Sequence, residues 1–396
     1  MLRALQISQQ FPNEHYPALG VMVQNAVRAL ATQLPLEVVA PRPYTVPLRG
    51  VPFGALAKLP TLRDEAGTLV HRPRYLYLVP KRVCYPWAGP AMAHALLRYA
   101  PALQRPDIIH AHWSYPDGWA GAALRAHFGS KLVVHARGTL ERVIARQSAR
   151  FRELVARPLN AADAVIANSD ALRDDCLALG VLPHKLHVIP NGVDVGMFRP
   201  ADKPSAKRGL GLQAERTWIL FCGNLRHVKG VDLLAEAIPQ LLAADSTLGF
   251  VLIGSGELQG ALRAQLAAWS SMGRVRMTGA LAQPEVARYM AAVDLLVVPS
   301  RSEARGNVIL EALASGTAVA AAAVGGIPEV VRPQHGRLFA PESTLAIVEA
   351  VRELVADRAR LAHMGHVGHR FVVEGDMSWQ AHATHTVELY RSLLAG

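Results

Sequence analysis

Short apolar runs alternate with longer amphipathic stretches along the first half of the chain. The runs that predict buried strands are RALQIS (3–8), LEVVA, DIIHAH, KLVVHA and DAVIANS. Helices are predicted over GVMVQNAVRALATQL, GWAGAALRAHF and DALRDDCLALG. Short apolar strands that alternate with helices are typical of a parallel sheet covered on both faces.

A stretch rich in proline, glycine and lysine interrupts this alternation at VIPNGVDVGMFRP (188–200) and ADKPSAKRGLG. A second series follows, with strands predicted over WILFCG, GFVLIG, VRMTG, DLLVVPS and TAVAAA. The pattern predicts an α/β protein of two doubly wound, Rossmann-like domains facing a cleft, residues 1–195 and 196–375. In such sheets, ligands bind beyond the carboxyl ends of the strands. The last stretch, 376–396, is amphipathic and could pack outside its own domain.

The length and the composition agree with two domains, because 396 residues exceed one core of ordinary size. Apolar residues make up 51% of the chain and charged residues 18%, which excludes a disordered tail. The net charge of +11 suits anionic partners such as phosphorylated small molecules or acidic lipid surfaces. The basic residues are scattered rather than blocked together, so we expect no nucleic-acid partner.

The three cysteines, Cys84, Cys176 and Cys222, lie far apart and lack metal-binding spacing. We expect them to be reduced, as in the cytoplasm. The first residues, MLRALQISQQF, become polar too soon for a signal peptide. No apolar run approaches the ~18–20 residues of a membrane span. The sequence therefore predicts a cytoplasmic protein that is at most peripheral at the inner face of the cell membrane.

Three predicted strand-to-helix turns in the second half carry candidate chemistry. The first lies in FCGNLRHVKGVDLLAEAI, where Gly223 gives a close turn and Arg226 and Lys229 precede a helix. Cations at this place can bind a phosphate, and each such bond contributes about 1.5–3 kcal/mol. The alternative is a solvated loop with ordinary surface cations.

The second turn, FVLIGSGELQGAL, contains Gly254, Gly256 and Gly260. Their spacing is G-x-G-x-x-x-G, and Arg274 and Arg276 stand where a dinucleotide-binding motif would have an acidic residue. The glycines either let a ligand approach the backbone or form a purely structural turn.

The third turn, PSRSEARGNVILEALASG, places Glu303 and Glu311 eight positions apart. The amides of Gly306, Asn307 and Val308 would be the unpaired donors of a helix start, where an anion is favoured. Glu311 could accept the hydroxyls of a ribose, and Glu303 could hold hydroxyls beyond the phosphates. Two surface glutamates at a helix start, which contribute ~0.3–1 kcal/mol, are the plain alternative.

This third turn closely resembles the donor-site signature of the retaining GT-B glycosyltransferases of family 4, the group 1 transferases. The pattern is E-x7-E at 303–311, followed by ALASGTAVAAAAVGGIPEVV. Further similar stretches occur in the expected order: NSDALRDDCLALGV, HVIPNGVDVGMFRP, GNLRHVKGVDLLAEAI, VLIGSGELQGAL and MTGALAQPEVARYM. The resemblance covers most of residues 107–396.

Carried over position by position, the resemblance implies a nucleotide-sugar site in the second domain. Lys229 would meet the diphosphate, Glu303 the donor sugar and Glu311 the ribose. The other implied donor-binding residues are Gly20, Asn224, Arg226, Gly254, Gly256, Gly279, Ala280, Leu281, Gly306, Asn307 and Val308. The family often has arginine where this chain has Asn224, so Arg226 could supply that second cation.

The first half is less similar to the family. SQQFPNEHYPALGVMVQNAVRALA matches a loop whose glycine, here Gly20, approaches the diphosphate. DIIHAHWSYPDG matches a loop whose second histidine, here His112, lies near the transferred sugar; a structural histidine is the alternative. HARGTL departs from the commoner His-Gly-x-Asp pattern, and Arg137 in it is assigned to phosphate or acceptor. The resemblance thus implies a first domain that binds the acceptor through His112 and Arg137.

The resemblance implies retaining transfer without a protein nucleophile, with His112, Lys229 and Glu303 as the catalytic residues. The chain has no D-x-D pair, so neither a metal nor another cofactor is expected. We expect a hexose-type sugar to move from a nucleotide-diphosphate sugar to a saccharide or lipid-linked acceptor, in cell-surface or exopolysaccharide synthesis. The segment 71–103 is either a docking surface for an anionic membrane or an ordinary helix with a basic rim.

Other classes of function are open at this point. A nucleotide-sugar epimerase can share the GT-B fold and would act on the donor without an acceptor. A dehydrogenase is disfavoured by its poor fingerprint, and a catalytically silent binder by the charged donor contacts. The family also implies a hinge near 190–205 and a last helix, around Trp379, that crosses back to the first domain.

Overall fold

The computed structural model describes residues 2–16, 19–44, 59–65, 67–77 and 84–395. The chain divides into two compact units. The first comprises Met1–Asn191 together with Trp379–Gly396, and the second comprises Gly192–Ser378. Residues 78–83 of the segment 71–103 lie outside the described residues.

The first unit is built on an eight-stranded sheet. Its strands and the two of a separate small sheet are β1 (Ala4–Ile7), β2 (Leu36–Val39), β3 (Arg42–Tyr44), β4 (Leu62–Glu65), β5 (Thr68–His71), β6 (Arg74–Leu76), β7 (Ile108–Ala111), β8 (Lys131–His135), β9 (Ala164–Ala167) and β10 (Leu186–Val188). The large sheet has the order β10-β9-β8-β7-β1-β2-β5-β4, and β3 pairs with β6. Only the β4–β5 pairing among these described strands is antiparallel.

Helices cover this sheet on both faces. They are α1 (Val21–Ala31), α2 (Tyr85–Tyr99), α3 (Asp117–Phe128), α4 (Ala149–Ala161), α5 (Asp170–Ala178) and the C-terminal helix (Trp379–Ala395). All four residues of β1, of β7 and of β9 are buried, as expected for strands covered on both sides. The C-terminal helix packs Ala383 and Tyr390 into the same core as Leu30 of α1. The end of the chain is therefore part of the first unit.

The second unit has a six-stranded, wholly parallel sheet. Its strands are β11 (Thr217–Cys222), β12 (Leu248–Ile253), β13 (Val275–Gly279), β14 (Leu295–Val298), β15 (Ala318–Ala322) and β16 (Gly336–Phe339). Their order is β13-β12-β11-β14-β15-β16. Alternate residues of β11 enter different cores: Ile219 and Phe221 lie in one, Trp218 and Leu220 in the other. A strand buried on both faces is apolar throughout for this reason.

Helices precede, connect and follow the strands of the second unit. They are α6 (Lys203–Gly209), α7 (Val231–Ala244), α8 (Gln259–Gln265), α9 (Ala267–Ser271), α10 (Gln283–Ala292), α11 (Asn307–Ala314), α12 (Ile327–Val330), α13 (Thr344–Val355) and α14 (Arg358–Glu374). No helix among the described residues is long and apolar enough to cross a membrane.

Each large sheet reverses its strand order at one point, between β1 and β7 in the first unit and between β11 and β14 in the second. In doubly wound sheets the connections leave this point in opposite directions and open a crevice beyond the carboxyl ends of the strands, where ligands bind. The loops that follow β1, β7, β11 and β14 are therefore the places to look for function.

The predicted fold class of two doubly wound α/β domains is confirmed, and every apolar run predicted as a strand forms one. The sequence pattern missed β3, β4, β5, β6, β10 and β16, which have three or four residues each. The division between the units falls at Asn191, whereas the sequence placed it at residue 195.

Candidate active site

The loop after β14 ends at the start of α11. Gly306 is the N-cap residue, and its φ is +83°, a backbone conformation that residues with a side chain rarely adopt. A Cβ added there would lie 2.8 Å from Cδ1 of Ile309. Because the N-cap is glycine, no N-cap side chain covers the amides at the start of the helix. This end of α11 also carries the positive end of the helix dipole, so it suits an anion.

An ion pair joins the loops after β11 and β14. Lys229 Nζ lies 2.5 Å from Oε2 of Glu303, and the Ser300 hydroxyl donates to the same oxygen at 3.3 Å. The side chains of Lys229 and Glu303 are 29% and 16% exposed, so both remain accessible to a ligand. The pair therefore stands where the strand order of the second sheet reverses, at the helix start suited to an anion.

The same two loops are fixed to each other by contacts that do not involve this pair. Arg301 donates to both carboxylate oxygens of Asp232, each at 2.8 Å. The backbone of Gly230 packs so closely on Pro299 that a Cβ would lie 1.8 Å from its carbonyl oxygen. Lys229 and Glu303 are thus held in place by the loop backbones and need not stabilise the loops themselves.

Glu311 lies one turn inside α11, beside the end of β11. Burial raises the pKa of Glu311 to about 7, and a hydrogen bond from the Gln283 side chain opposes that rise. Burial also raises the pKa of the Cys222 thiol, and the nearby Glu311 charge raises it further. Gln283, which the sequence reasoning missed, begins α10 two residues after Leu281. A neighbouring amide could therefore orient the Glu311 carboxyl.

Other predicted donor residues of the second unit lie along the same carboxyl edge of its sheet. Asn224 and Arg226 are exposed in the loop after β11. Gly279 ends β13 and is followed by Ala280, which is exposed, and Leu281, which is half-buried. The structure thus places residues from β11, β13 and β14 at one edge, as the sequence predicted for a single ligand site.

Gly254 and Gly256 have a structural reason to be glycine. A Cβ on Gly254 would lie 1.8 Å from the carbonyl oxygen of Gly223, and one on Gly256 would lie 2.4 Å from that of Leu225. The side-chain direction of each is filled by the protein's own backbone. Close packing of the two loops is thus by itself a sufficient reason for these two glycines. Gly20 in the first unit is similar, because its Cβ would lie 2.0 Å from the carbonyl oxygen of Gln10.

His112 and Arg137 are in contact in the first unit. His112 follows β7 at the strand-order reversal and is fully buried, and burial, with the nearby His110, lowers its pKa well below the usual range. Arg137 Nη2 lies 2.6 Å from His112 Nδ1, and Arg137 Nη1 donates to Asn191 Oδ1 at 3.0 Å. Arg137 is 7% exposed. The structure therefore brings together the two residues predicted for the acceptor side.

A cluster of buried histidines beside this pair does not have the geometry of a metal site. Ring nitrogens of His110, His112 and His135 lie within 4.8 Å of one another. The rings, however, are nearly parallel, with interplanar angles of 18°, 13° and 28°. Imidazole lone pairs lie in the ring planes, so parallel rings do not converge on one ion. His112 also already uses both nitrogens, for Gln6 and Arg137.

Two doubly wound units, one with an anion-suited helix start beside a lysine–glutamate pair, define a GT-B class of protein. Comparison with known protein families supports this class. The model of the group 1 glycosyl transferases matches residues 216–357, and that of Glycosyltransferase Family 4 matches residues 19–196. The chain belongs to this glycosyltransferase family. The predicted resemblance and the assignment as a transferase are thereby confirmed.

The relatives that support this assignment cover most of the chain. D-inositol 3-phosphate glycosyltransferase 1 of Catenulispora acidiphila is 34% identical over 310 residues, 73% of each chain. The putative teichuronic acid biosynthesis glycosyltransferase TuaC of Bacillus subtilis is 28% identical over 359 residues, 88% of each chain. Both are glycosyltransferases by name, and they differ in what they act on.

Solved structures show the same fold over the whole chain. Sucrose-phosphate synthase from Thermosynechococcus elongatus superposes with a TM-score of 0.82 over 100% of both chains, at 24% identity. HepE from Anabaena, solved with UDP and glucose, gives a TM-score of 0.76 over 99% of this chain and 100% of that chain, at 20% identity. At these identities the likeness concerns the fold.

Proposed function

We propose that the chain is a retaining, metal-independent hexosyltransferase. It moves a sugar from a nucleotide-diphosphate sugar to a saccharide or lipid-linked acceptor in cell-surface or exopolysaccharide synthesis. The observation that carries the proposal is the Lys229–Glu303 pair beside the start of α11. The relatives named for inositol phosphate and for teichuronic acid, and the neighbour solved with UDP and glucose, support the donor and acceptor classes.

The second unit would act on the leaving diphosphate. An ammonium group has three N–H donors, so Lys229 can keep its bond to Glu303 and still donate to a phosphate oxygen. The amides of residues 306–308 add donors that are fixed before the reaction and need no reorganisation as charge develops. Glu303 would accept from hydroxyls of the donor sugar, and Glu311 from those of the ribose. Fixed cations and amides would do the work that a divalent ion does elsewhere.

The sugar would keep its anomeric configuration by a front-face reaction. The bond between sugar and phosphate loosens to an oxocarbenium-like state, and the leaving phosphate oxygen takes the proton of the acceptor hydroxyl. This route requires no protein nucleophile. Because His112 is neutral and holds Arg137, we assign these two residues to positioning of the acceptor and the transferred sugar.

A panel of nucleotide sugars tests this function. The correct donor is expected to stabilise the protein by about 2.7 kcal/mol at one hundred times its dissociation constant, measured by thermal unfolding. With that donor and a saccharide or lipid-linked acceptor, transfer should proceed equally with and without EDTA. A strict requirement for Mg²⁺ or Mn²⁺ would contradict the metal-free site. Epimerised donor without acceptor would instead identify an epimerase.

Donor affinity is expected to depend on the protonation of Glu311. Its pKa of about 7 lies above the ordinary value of 4.5, so ionisation costs free energy in the unliganded protein and stability falls as pH rises between those values. Ribose hydroxyls need the ionised carboxylate as acceptor. Affinity for the nucleotide sugar should therefore fall below pH 7, by up to about tenfold per pH unit.

Calorimetric titration between pH 5.5 and 8 measures this dependence. The nucleotide-sugar diphosphate does not itself titrate in that range. Glu311→Gln, which keeps the shape of the side chain, should bind more weakly at pH 8 and lose the pH dependence. Affinity that is independent of pH in the unsubstituted protein would remove Glu311 from the donor site.

A groove of about 880 Å³ beside α2 is proposed as the surface that meets an amphiphilic acceptor or an anionic membrane. Tyr75, Tyr77 and Trp87 line it together with Arg74 and Arg98. Trp87 is 66% exposed, an unusual state for a large aromatic side chain. Apolar walls with cations beside them suit a lipid chain that carries an anionic head group.

Flotation with anionic liposomes at low salt tests the groove. We expect the protein to float with the vesicles and Trp87→Ala to reduce the bound fraction severalfold, because aromatic side chains anchor at the membrane interface. Met272→Ala is the matched control, since Met272 is 63% exposed but belongs to the second unit. Absence of binding by the unsubstituted protein would remove the membrane from the proposal.

A further inference from the structure

A continuous chain of hydrogen bonds runs inward from Arg137. A guanidinium can only donate, so Arg137 Nη2 donates to His112 Nδ1 at 2.6 Å. His112 is neutral, and its single proton must therefore reside on Nε2. That nitrogen lies 2.8 Å from Oε1 of Gln6 and donates to it. Arg137 and Gln6 thus specify the same tautomer of His112, one from each side of the ring.

The chain continues from β1 to the C-terminal helix. With Oε1 of Gln6 occupied as an acceptor, its Nε2 donates to the Tyr390 hydroxyl at 3.3 Å. Tyr390 then donates its own proton to Nδ1 of His110 at 2.5 Å. Tyr390 is 384 residues from Gln6 in the sequence, so only the packing of the last helix brings the two together. Every bond in the series points the same way.

None of these groups has water as a substitute partner. Gln6, His110, His112 and Tyr390 are all 0% exposed. A buried polar group left without its partner costs about 1–3 kcal/mol, so the loss of any one of these bonds is costly. Burial lowers the pKa of His110 as well, which keeps it neutral and able to accept from Tyr390.

Arg137 at the outer end retains its positive charge for a ligand. Its hydrogen bonds are to neutral groups: the His112 ring, the His112 carbonyl and the Asn191 amide. No ion pair found among the described residues includes it. Burial lowers the pKa of Arg137, and Glu141 is the acid whose charge raises it in part. The Glu141 carboxylate accepts hydrogen bonds from Ser114 Oγ at 2.7 Å and from the Gly138 amide at 2.9 Å. A buried cation without a carboxylate partner suits an anionic group of a substrate.

We propose that Tyr390 and Gln6 are positioning residues of the transfer reaction, which hold His112 in the tautomer that aims Arg137 at an anionic group of the substrate. This inference rests on the proposed function for the role of Arg137. With the opposite tautomer, His112 would present an N–H to the guanidinium, and Arg137 would lose the acceptor that fixes its direction. The C-terminal helix therefore contributes to the site of the first unit without contacting substrate.

Tyr390→Phe tests the inference, because it removes one hydroxyl and keeps the ring. Gln6→Met breaks the same chain from the other side. Thr386→Val is the matched control. Thr386 carries a buried hydroxyl on the same helix, and among the described residues this hydroxyl donates only to the His382 carbonyl, at 2.7 Å. Selective ¹⁵N labelling of histidine reports the tautomer of His112 by NMR, independently of any activity.

We expect both test variants to shift the His112 nitrogen resonances towards a mixture of tautomers and to lower kcat/KM for transfer about tenfold. Stabilisation by the nucleotide sugar, which the second unit would bind, should be unchanged. Thr386→Val should match the unsubstituted protein in all three measurements. Unchanged resonances and unchanged kcat/KM in Tyr390→Phe and Gln6→Met would overturn this inference alone. An unsubstituted protein that transfers no sugar would overturn the proposed function as well.

Discussion

Lys229→Ala should lower sugar transfer at least about tenfold, which corresponds to roughly 1.4 kcal/mol of transition-state stabilisation. Lys229 is a side-chain cation beside the start of α11, where charge would develop on the leaving diphosphate. A hydrogen-bonding cation that acts only on developing charge stabilises the transition state more than the ground state. Its removal should therefore lower kcat more than it raises KM. Steady-state kinetics with the identified donor measures both constants.

Glu303→Ala is expected to lower transfer to a similar extent, for a different reason. It would remove the proposed acceptor for the sugar hydroxyls, and it also frees Lys229 from its 2.5 Å bond. Glu303→Gln separates the two effects, because it keeps a hydrogen-bond acceptor and removes the charge. Arg226→Ala shows whether this exposed arginine supplies the second cation in place of the family's arginine at Asn224.

Neither Lys229→Ala nor Glu303→Ala should unfold the protein. Partly exposed ion pairs contribute little to stability, and the loops are held by the Arg301–Asp232 pair and the close contact of Gly230 with Pro299. Arg263→Ala, an exposed cation on α8, is the control for a general loss of positive charge. Turnover like that of the unsubstituted protein in both Lys229→Ala and Glu303→Ala would discard the assignment of this pair.

The strands that are buried on both faces could be predicted, because nearly every position in such a strand is apolar. β14, with the sequence LLVV, is fully buried, and its apolar run identifies it without reference to the rest of the chain. β4 is different: it is LRDE, mostly exposed, and it forms by antiparallel pairing with β5. Such a strand depends on its neighbour rather than on its own pattern, which is why periodicity missed it.

The site shows the same division between local and non-local information. The turn with Glu303 and Gly306 is local, so its residues could be identified from spacing and then matched to a family. The contact of Lys229 with Glu303 spans 74 residues, and that of Gln6 with Tyr390 spans 384. Nothing in the sequence near Gln6 indicates a partner, and only the strand order and the return of the last helix bring the groups together.

The spacing of glycines does not by itself reveal why each glycine is there. From the sequence, the series of Gly254, Gly256 and Gly260 could serve a ligand or a turn. In the structure, the side-chain directions of Gly254 and Gly256 are filled by backbone carbonyls, whereas no atom of the described residues lies within 4 Å of that of Gly260. One spacing thus combines two glycines required by packing and one that packing does not require.

Gly254→Ala is therefore expected to destabilise the protein by roughly 3 kcal/mol or more. The backbone there has φ of +141°, and an added Cβ would lie 1.8 Å from the Gly223 carbonyl oxygen. Backbone strain and overpacking each cost about 1–3 kcal/mol, and the rigid neighbour cannot move as a flexible side chain could. Urea unfolding should show the loss, and the melting temperature should fall by about 6–12 °C.

Gly260→Ala is the matched control, from the same series and the same loop-to-helix junction. Gly260 lies in α8 with open space around it, so alanine should leave stability unchanged or raise it by up to about 1 kcal/mol. Both variants should be titrated with the nucleotide sugar. If Gly254→Ala were as stable as the unsubstituted protein yet failed to bind the donor, the glycine would serve the ligand and not the packing of the two loops.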